Sequence, residues 1–475
     1  MNYNNNLIFL VSALSVSGCN QSIDDVIEWI KHQNEKINLS IKKVPFSYLK
    51  EWEFSAKNRN LRHKTGKFFS IDGIEVKTNW NGFTSWSQPI INQPEVGYLG
   101  FITKEFRGVL HFLVQAKIEP GNINHVQLSP TVQATKSNYT QVHRGNKPKY
   151  LDYFIKASKN QIVLDQLQSE QGARFLSKRN RNIIIKIEED IIVEDNFIWL
   201  TLGQIKELMK IDNLVNMDTR TVISGISYGN FTKKEFEFIK IINLNIAENS
   251  LSRKFLISTL VINNSLHSNV ELISWITQKK FNHQLEIKLV SLASLKEWLI
   301  GNNSIEHSEK KYFKVIGVEV LIENREVTNW TQPMIEPVQT GLCAFVCKEI
   351  NGILHLAVQA KLECGNYDII ELAPTVQCLT DNYKNSINGK LPFLDFVLNS
   401  TKDQIVYDSL QSEEGGRFYR EENRNMIVIA GKEINLKLPK DYIWMTLNQL
   451  QTFVTYNNYL NIQARNLLSA ISFIK

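Results

Sequence analysis

The chain has 475 residues, 43% hydrophobic and 21% charged, with a formal net charge of +6. That length exceeds one ordinary core, so two or more domains are expected, and the composition excludes a disordered or fibrous chain. Lys and Arg are interspersed with Asp and Glu, which gives no support to nucleic-acid binding, and the five cysteines form no CxxC pair, which argues against a zinc site or a disulfide framework and fits a reducing compartment.

Taken in order, the first elements predicted are amphipathic helices over residues 9–16 and 23–33. The apolar run Leu7–Gly18 ends near Val16-Ser-Gly-Cys19, which looks like a lipoprotein cleavage box. No Lys or Arg precedes that run, and Phe9-Leu-Val-Ser-Ala-Leu14 recurs in mid-chain as Phe255-Leu-Ile-Ser-Thr-Leu260, so the segment is read as part of the fold rather than as a signal. A short helix over 47–53 leads to Trp52. Strands follow over 74–76, 96–103, 109–119 and 126–134, with a turn at Gly108. A helix is expected over 161–175, a strand over 182–187, and a strand Phe197–Leu200 running into a helix over 201–209. No stretch is long enough to span a membrane, and a cytoplasmic protein is expected.

The same series is then stated again. Trp29 and Trp275 are 246 residues apart, Trp86 and Trp330 are 244 apart, and Arg174 and Arg417 are 243 apart. This drift is that of two domains with small loop changes, not of a short-period solenoid. Modules over 1–228 and 253–475 are expected, packed together through an ordered bridge. Strands mixed with segregated helices make each an α+β, or helix–sheet–helix, unit.

Polar runs kept through a duplication mark candidate sites. Asp165-Gln-Leu-Gln-Ser-Glu-Gln-Gly-Ala-Arg-Phe175 returns as Asp408-Ser-Leu-Gln-Ser-Glu-Glu-Gly-Gly-Arg-Phe418, identical at 8 of 11 positions. Read as a helix, it puts Glu170 with Arg174, and Glu413 with Arg417, on one face, with a Gly marking a helix end or a close approach. Residues 109–122 return as 353–366 with 9 of 14 identities. Period-two reading places His111, Gln115, Lys117 and Glu119 on one strand face, and His355, Gln359, Lys361 and Glu363 on its twin. These carry the candidate acid–base groups: His111, Lys117, Glu119 and Glu170, with His355, Lys361, Glu363 and Glu413. Trp86 and Trp330, beside Gln88 and Gln332, are suited to stack a base and read its edge. Arg174, Arg181, Arg417 and Arg424, with Asn423, offer forks for phosphate oxygens. Gln168, Ser169, Gly172, Gln411, Ser412, Gly415, Gly416 and Tyr383 complete the candidate binding set.

With WSQPII, QAKIEPGN, LSPTVQ, LQSEQGARF, NRN and their second-half forms in this order, the whole chain resembles the NDP-hexose 2,3-dehydratase family. The resemblance implies a tandem duplication of two Nudix-like α/β/α sandwich modules in a homodimer. It further implies a dTDP-4-keto-6-deoxyhexose substrate and a separate ketoreductase acting downstream. The full Nudix metal box is absent from both copies, which disfavours the rival pyrophosphatase; a silent nucleotide-sugar-binding protein is the other rival. A ketone at carbon 4 acidifies the hydrogen on carbon 3, so the implied reaction needs a base, an acid and donors for an enolate oxygen, and no cofactor or metal.

Overall fold

The computed structural model describes residues 5–17, 21–57, 59–135, 148–229, 231, 235, 237, 239, 250–322, 329–384 and 391–474. The first half runs α1 (Asn5–Ala13), α2 (Ile23–Glu35), β1 (Leu39–Val44), β2 (Trp52–Phe54), β3 (Leu61–His63), β4 (Ser70–Thr78), β5 (Thr84–Asn92), β6 (Gly97–Phe106), β7 (Val109–Ile118), β8 (Val126–Ser129), β9 (Val132–Ala134), α3 (Leu151–Ile155), β10 (Ile162–Ser169), β11 (Arg179–Lys186), β12 (Phe197–Thr201), α4 (Leu202–Leu208) and α5 (Met217–Ser224). The second half repeats it as α6 (Leu251–Leu260), α7 (Asn269–Asn282), β13 (Leu285–Val290), β14 (Trp298–Ile300), β15 (Ser304–His307), β16 (Phe313–Ile322), β17 (Asn329–Pro337), β18 (Gly341–Ile350), β19 (Ile353–Lys361), β20 (Glu371–Ala373), β21 (Val376–Leu379), α8 (Asp381–Lys384), α9 (Leu394–Leu398), β22 (Ile405–Ser412), β23 (Glu422–Ala430), β24 (Tyr442–Thr446), α10 (Leu447–Val454) and α11 (Ile462–Ser469).

Each half builds a seven-stranded mixed sheet. In the first half the order is β10-β11-β6-β7-β12, with β8 beside β7 and β9 beside β6. Only β11 and β6 run parallel; the other pairs are antiparallel. The second half repeats this sheet with β23 parallel to β18. Helix α1 lies on β7, as Ser12 Oγ donates to the Leu110 carbonyl at 2.6 Å. Leu7, Phe9, Leu10 and Ala13 of the apolar run are buried core, while Gly18 and Cys19 of the expected cleavage-box pattern lie outside the described residues.

The two halves are interlocked as well as adjacent. Strand β1 of the first half pairs with β16 of the second, and β13 of the second pairs with β4 of the first. Each five-stranded small sheet therefore contains one strand lent by the other half. The capping asparagines Asn216 and Asn461 start α5 and α11, which pack on each other across the seam. One continuous apolar cluster runs from Leu7 to Phe473 through both large sheets.

Two expectations are corrected. The motif Asp165–Phe175 is not helical: residues 162–169 form strand β10 and a turn follows, and Asp408–Phe418 behaves alike. Glu170 and Arg174 therefore share no helix face, and neither do Glu413 and Arg417. The motif glycines Gly172 and Gly415, and the repeated glycines Gly121 and Gly365 packed on those turns, mark a close approach between the halves instead. A Cβ on Gly121 would lie 1.7 Å from the Phe418 carbonyl oxygen, and one on Gly365 would lie 1.8 Å from that of Phe175. Each motif turn is pressed against the opposite half. The helix expected over 47–53 is a single 3-10 turn, Phe46–Tyr48, before β2.

A candidate active site between the two halves

A cavity of about 1030 Å³ opens between the halves. This is at the upper end of what small-molecule sites occupy, enough for a nucleotide with an appended sugar. The first half supplies Lys117 and Glu119 at the end of β7, Gln133 on β9, Glu170 after β10, Lys178 and Asn180 at β11, and Asp218 in the first turn of α5. The second half supplies Trp330 and Gln332 from β17 and the turn residues Glu414, Gly416 and Arg417. Neither half alone encloses the space.

The cavity is acidic at one end. Glu119, Glu170 and Asp218 are buried. One Glu170 carboxylate oxygen accepts from Asn180 Nδ2, while its Oε2 has no hydrogen-bond partner. Asp218 Oδ1 and Glu414 Oε2 are likewise without partners. Burial, with Glu414 nearby, pushes Glu170 up to about 7. Burial, reinforced by Glu170, Glu119 and Glu414, holds the Asp218 carboxyl well above the usual carboxylate range. Burial and Glu119 raise Glu414 in turn. Glu119 is better satisfied, accepting from Gln133 Nε2 at 2.6 Å and lying 3.5 Å from Lys117 Nζ.

Two cations balance these carboxylates. Lys178 is buried, which lowers its pKa against the opposing pull of Glu170, and its ammonium donates to the Glu95 carbonyl. Arg417 lies over the ring of Phe69 with its guanidinium carbon 4.2 Å from the centroid, and its Nε donates to Gln93 Oε1 at 3.3 Å. Trp330 Nε1 donates to Gln332 Oε1, whose amide in turn donates to the Gly416 carbonyl at 2.8 Å. This fixes the indole beside the Arg417 turn.

A pseudo-symmetric set stands on the other side of the seam. There Glu363 accepts from Gln377 at 2.9 Å, and Lys361 donates to the Gln377 carbonyl at 3.2 Å. Arg174 lies over Phe313 at 4.3 Å. Trp86 donates to Gln88, which donates to the Ala173 carbonyl. Three positions differ. Gln171 stands where the first set has Glu414, Gln463 where it has Asp218, and Glu421 where it has Lys178. The second set has lost two of its carboxylates to amides and its buried ammonium to a carboxylate.

The candidate residues divide accordingly. Lys117, Glu119, Glu170, Trp330, Gln332, Gly416 and Arg417 come together in the cavity wall. Glu413, Lys361, Glu363, Trp86, Gln88 and Arg174 belong to the twin set, with Asn423 donating to Glu413. Gln168 and Ser169 instead bind the Val454 carbonyl and Glu371 of the opposite half; Gln411 and Ser412 bind the Met209 carbonyl and Asn213. Gly172 and Gly415 are packed against Asn366 and Asn122. Arg181 and Arg424 are held in two-pronged pairs by Asp165 and Asp408. Tyr383 stands on α8, 38% exposed.

The candidate histidines His111 and His355 are placed apart from the cavity carboxylates. His111 sits six residues from Lys117 along β7, on the order of 20 Å away, with Nδ1 at the Val109 carbonyl and its ring edge-on to Phe106. His355 Nε2 accepts from the Leu266 amide at 3.0 Å, and burial lowers its pKa. Neither forms part of the cavity wall. Sequence reasoning missed Lys178, Asp218 and Glu414. It searched for groups retained in both copies, and these three are the ones that changed.

Comparison with known proteins agrees with this doubled arrangement. Residues 23–226 and 269–471 each match the family model described as NDP-hexose 2,3-dehydratase. The chain is 42% identical over 472 residues to a Saccharopolyspora spinosa protein named dTDP-4-dehydro-6-deoxy-alpha-D-glucopyranose 2,3-dehydratase, covering 98% of this chain and 95% of that one. Proteins of the same name from Amycolatopsis orientalis and Streptomyces violaceoruber are 39% and 40% identical. They cover 97% and 93% of this chain, and 93% and 95% of their own lengths.

Proposed function

The chain belongs to the NDP-hexose 2,3-dehydratase family, and from that premise we propose that it removes water across carbons 2 and 3 of a dTDP-4-keto-6-deoxyhexose in deoxysugar biosynthesis. The observation that carries the reading to a site is Glu170: a buried carboxylate, pushed up to about 7, with an unpartnered oxygen in a cavity large enough for the substrate.

The chemistry follows from the substrate. The carbon-4 ketone acidifies the hydrogen on carbon 3. Glu170 takes that proton, the carbon–hydrogen electron pair moves into an enolate, and Lys178 donates to the enolate oxygen. The electrons then return to form the carbon 2–carbon 3 double bond as the carbon 2–oxygen bond breaks. Asp218, kept protonated by burial and its acidic neighbours, gives the leaving hydroxyl its proton, and water departs. The resulting carbon-3 enol tautomerises to a 3,4-diketo-2,6-dideoxyhexose. No electron leaves the substrate, so no redox cofactor is required. Trp330 and Phe68 supply apolar wall for the thymine, while Lys117 and Arg417 supply cations for the diphosphate.

The loss of two carboxylates and an ammonium from the twin set supports the cavity with Glu170 as the place of reaction. We further read the two halves as Nudix-like modules bounded by 1–228 and 253–475, in a cytoplasmic homodimer whose reactive product passes to a ketoreductase. The test is incubation of pure protein with the 4-keto sugar nucleotide and a reductant that traps the diketone. A trapped product that has lost one water and gained two hydrogens from the reductant supports the reading. Cleavage to a nucleoside monophosphate and a sugar phosphate would revive the hydrolase, and unchanged bound substrate would revive the silent binder.

A further inference from the structure

The duplication gives an internal control for the buried polar groups of the seam. Arg465, on α11 of the second half, is 1% exposed. Its guanidinium reaches two elements of the first half. Nη2 donates to the carbonyl of Ser169, the residue before Glu170, and Nη1 donates to the Ser169 hydroxyl at 3.3 Å. Nε donates to Thr221 Oγ1 at 3.0 Å, on α5, the helix whose first turn carries Asp218. Nη1 also donates to the Leu460 carbonyl at 2.6 Å, which ties the fork to its own half. Glu371 on β20, also 1% exposed, accepts from the Ser169 hydroxyl at 2.7 Å. One cation and one acid of the second half thus close on the end of β10.

The equivalent positions across the seam are built differently. Arg220 stands where the second half has Arg465, and Gln127 where it has Glu371. Arg220 likewise donates to the Ser412 carbonyl, but its Nε turns back to the Asn216 carbonyl of its own helix at 3.4 Å. Gln127 donates its amide to the Ser412 hydroxyl at 2.7 Å, and that hydroxyl donates to Asn213 Oδ1 at 2.8 Å. The turn bearing Glu413 is therefore braced by a cation and a neutral amide. The turn bearing Glu170 is braced by a cation that also grips α5, with an acid beside it. A brace needed only to join the halves would serve both turns in the neutral form.

We propose that Arg465 and Glu371 are positioning residues for Glu170: the guanidinium holds the strand end bearing Glu170 against the helix bearing Asp218, and Glu371 balances its charge. The proposal deepens the reading of Glu170 as base and Asp218 as acid, and rests on it. A planar fork bonded to both elements fixes their spacing, which a flexible ammonium would not do. The same groups set the charge that Glu170 feels. Burial raises Glu170, and Arg465 opposes that rise; burial also pushes Glu371 up to about 7, against the Ser169 hydrogen bond and Arg465. The charged groups facing Glu170 are Glu414, Glu413, Asp218, Lys178 and Arg465. Those facing Glu371 are Arg465, Glu363 and Lys280. Loss of the Arg465 charge therefore raises the Glu170 midpoint. Loss of the Glu371 charge leaves Arg465 uncompensated and lowers it. A merely structural brace would not give shifts of opposite sign.

The test is titration of the full chain labelled with carbon-13 at its glutamate carboxyls, scored beside the pH profile of turnover on the 4-keto sugar nucleotide. The Glu170 resonance is the one missing from Glu170→Gln. Arg465→Met should move its midpoint up by about one pH unit or more. Glu371→Gln should move it down, and Gln127→Glu, the reverse exchange across the seam, should leave it in place. Arg465→Lys keeps the charge without the fork. It should hold the midpoint while lowering kcat by about 10- to 100-fold with little change in KM. Because Arg465→Met can unfold the protein, Glu371→Gln, which installs the amide found at the twin position, keeps the test decisive. A midpoint unmoved in folded Glu371→Gln, or moved the same way by both variants, would overturn the proposal. A midpoint that moves as stated while turnover ignores it supports the brace and overturns instead the reading of Glu170 as base.

Discussion

Gln171 of the first half donates to Glu413 of the second, Nε2 to Oε2 at 2.5 Å. Its neighbour Glu170 turns the other way, into the cavity. The second motif mirrors this, with Glu413 toward the twin set and Glu414 toward the cavity. Two acidic turns thus lie along the seam, each contributing one residue to each side. The amide at Gln171 leaves Glu413 with a neutral partner, while on the other side Glu170 faces a second carboxylate.

Gln171→Glu should therefore be costly. Two carboxyls sharing one buried site cannot both ionise, so the second is held above its unfolded pKa. Its penalty is present at high pH and vanishes below the unfolded value. Thermal unfolding at pH 8 should reveal a loss of about 2 kcal/mol, shrinking toward zero near pH 4. A loss of the same size at both pH values would place the cause elsewhere.

Activity should rise with pH through about 7, as Glu170 becomes ionised and able to accept a proton. The same raised pKa has a stability consequence. The folded state binds the Glu170 proton more tightly than the unfolded chain, so this contribution is full below the unfolded pKa and is lost as pH rises through 7. Glu170→Gln should thus stabilise the protein by about 3 kcal/mol at pH 8, with no gain near pH 4. Matched melting curves at the two pH values check this.

Trp330→Ala should weaken binding of the nucleotide diphosphate by roughly 10-fold, the scale of one lost aromatic stack. Calorimetry should report weaker binding with little change in melting temperature, because the indole lines the cavity. Unchanged affinity with a lower melting temperature would make Trp330 a packing residue.

Exhaustive EDTA treatment should leave turnover intact. Proton transfer and loss of water can be served by Glu170, Lys178 and Asp218 alone, and among the described residues no three His, Cys, Asp or Glu side chains converge as metal ligands. Loss of activity restored by magnesium would contradict this assignment.

The duplication was legible because paired tryptophans and the Arg174–Arg417 pair nearly kept their spacing, and β7 was legible through its alternation. The strand β10 was not. Its pairing with β11 is irregular between Ile162 and Leu164, which shifts the apolar positions out of period two and imitates a helix. The histidines were misleading for a related reason. Strand β7 is covered on both sides, by α1 on one and by Phe106 and Trp199 on the other, so a polar position on it need not face a ligand. Retention in both copies found Glu170 and Lys117, but it also selected Gln168, Ser169, Gln411 and Ser412, which join the halves. The cavity was distinguished by Lys178, Asp218 and Glu414, where matched segments exchange a charge for an amide or for its opposite. That signal is present in the sequence and appears only when the copies are compared for difference.

The most direct measurement follows deuterium from solvent into carbon 3 of the 4-keto sugar nucleotide, which isolates the first proton transfer from the loss of water. Glu170→Gln and Glu413→Gln are the same change at twin positions, one in the cavity wall and one across the seam. Glu170→Gln should slow both exchange and elimination by about 100- to 10,000-fold, while Glu413→Gln stays within a few-fold of wild type. Exchange at the wild-type rate in Glu170→Gln, or its abolition by Glu413→Gln alone, would contradict the assignment of the reaction to this cavity.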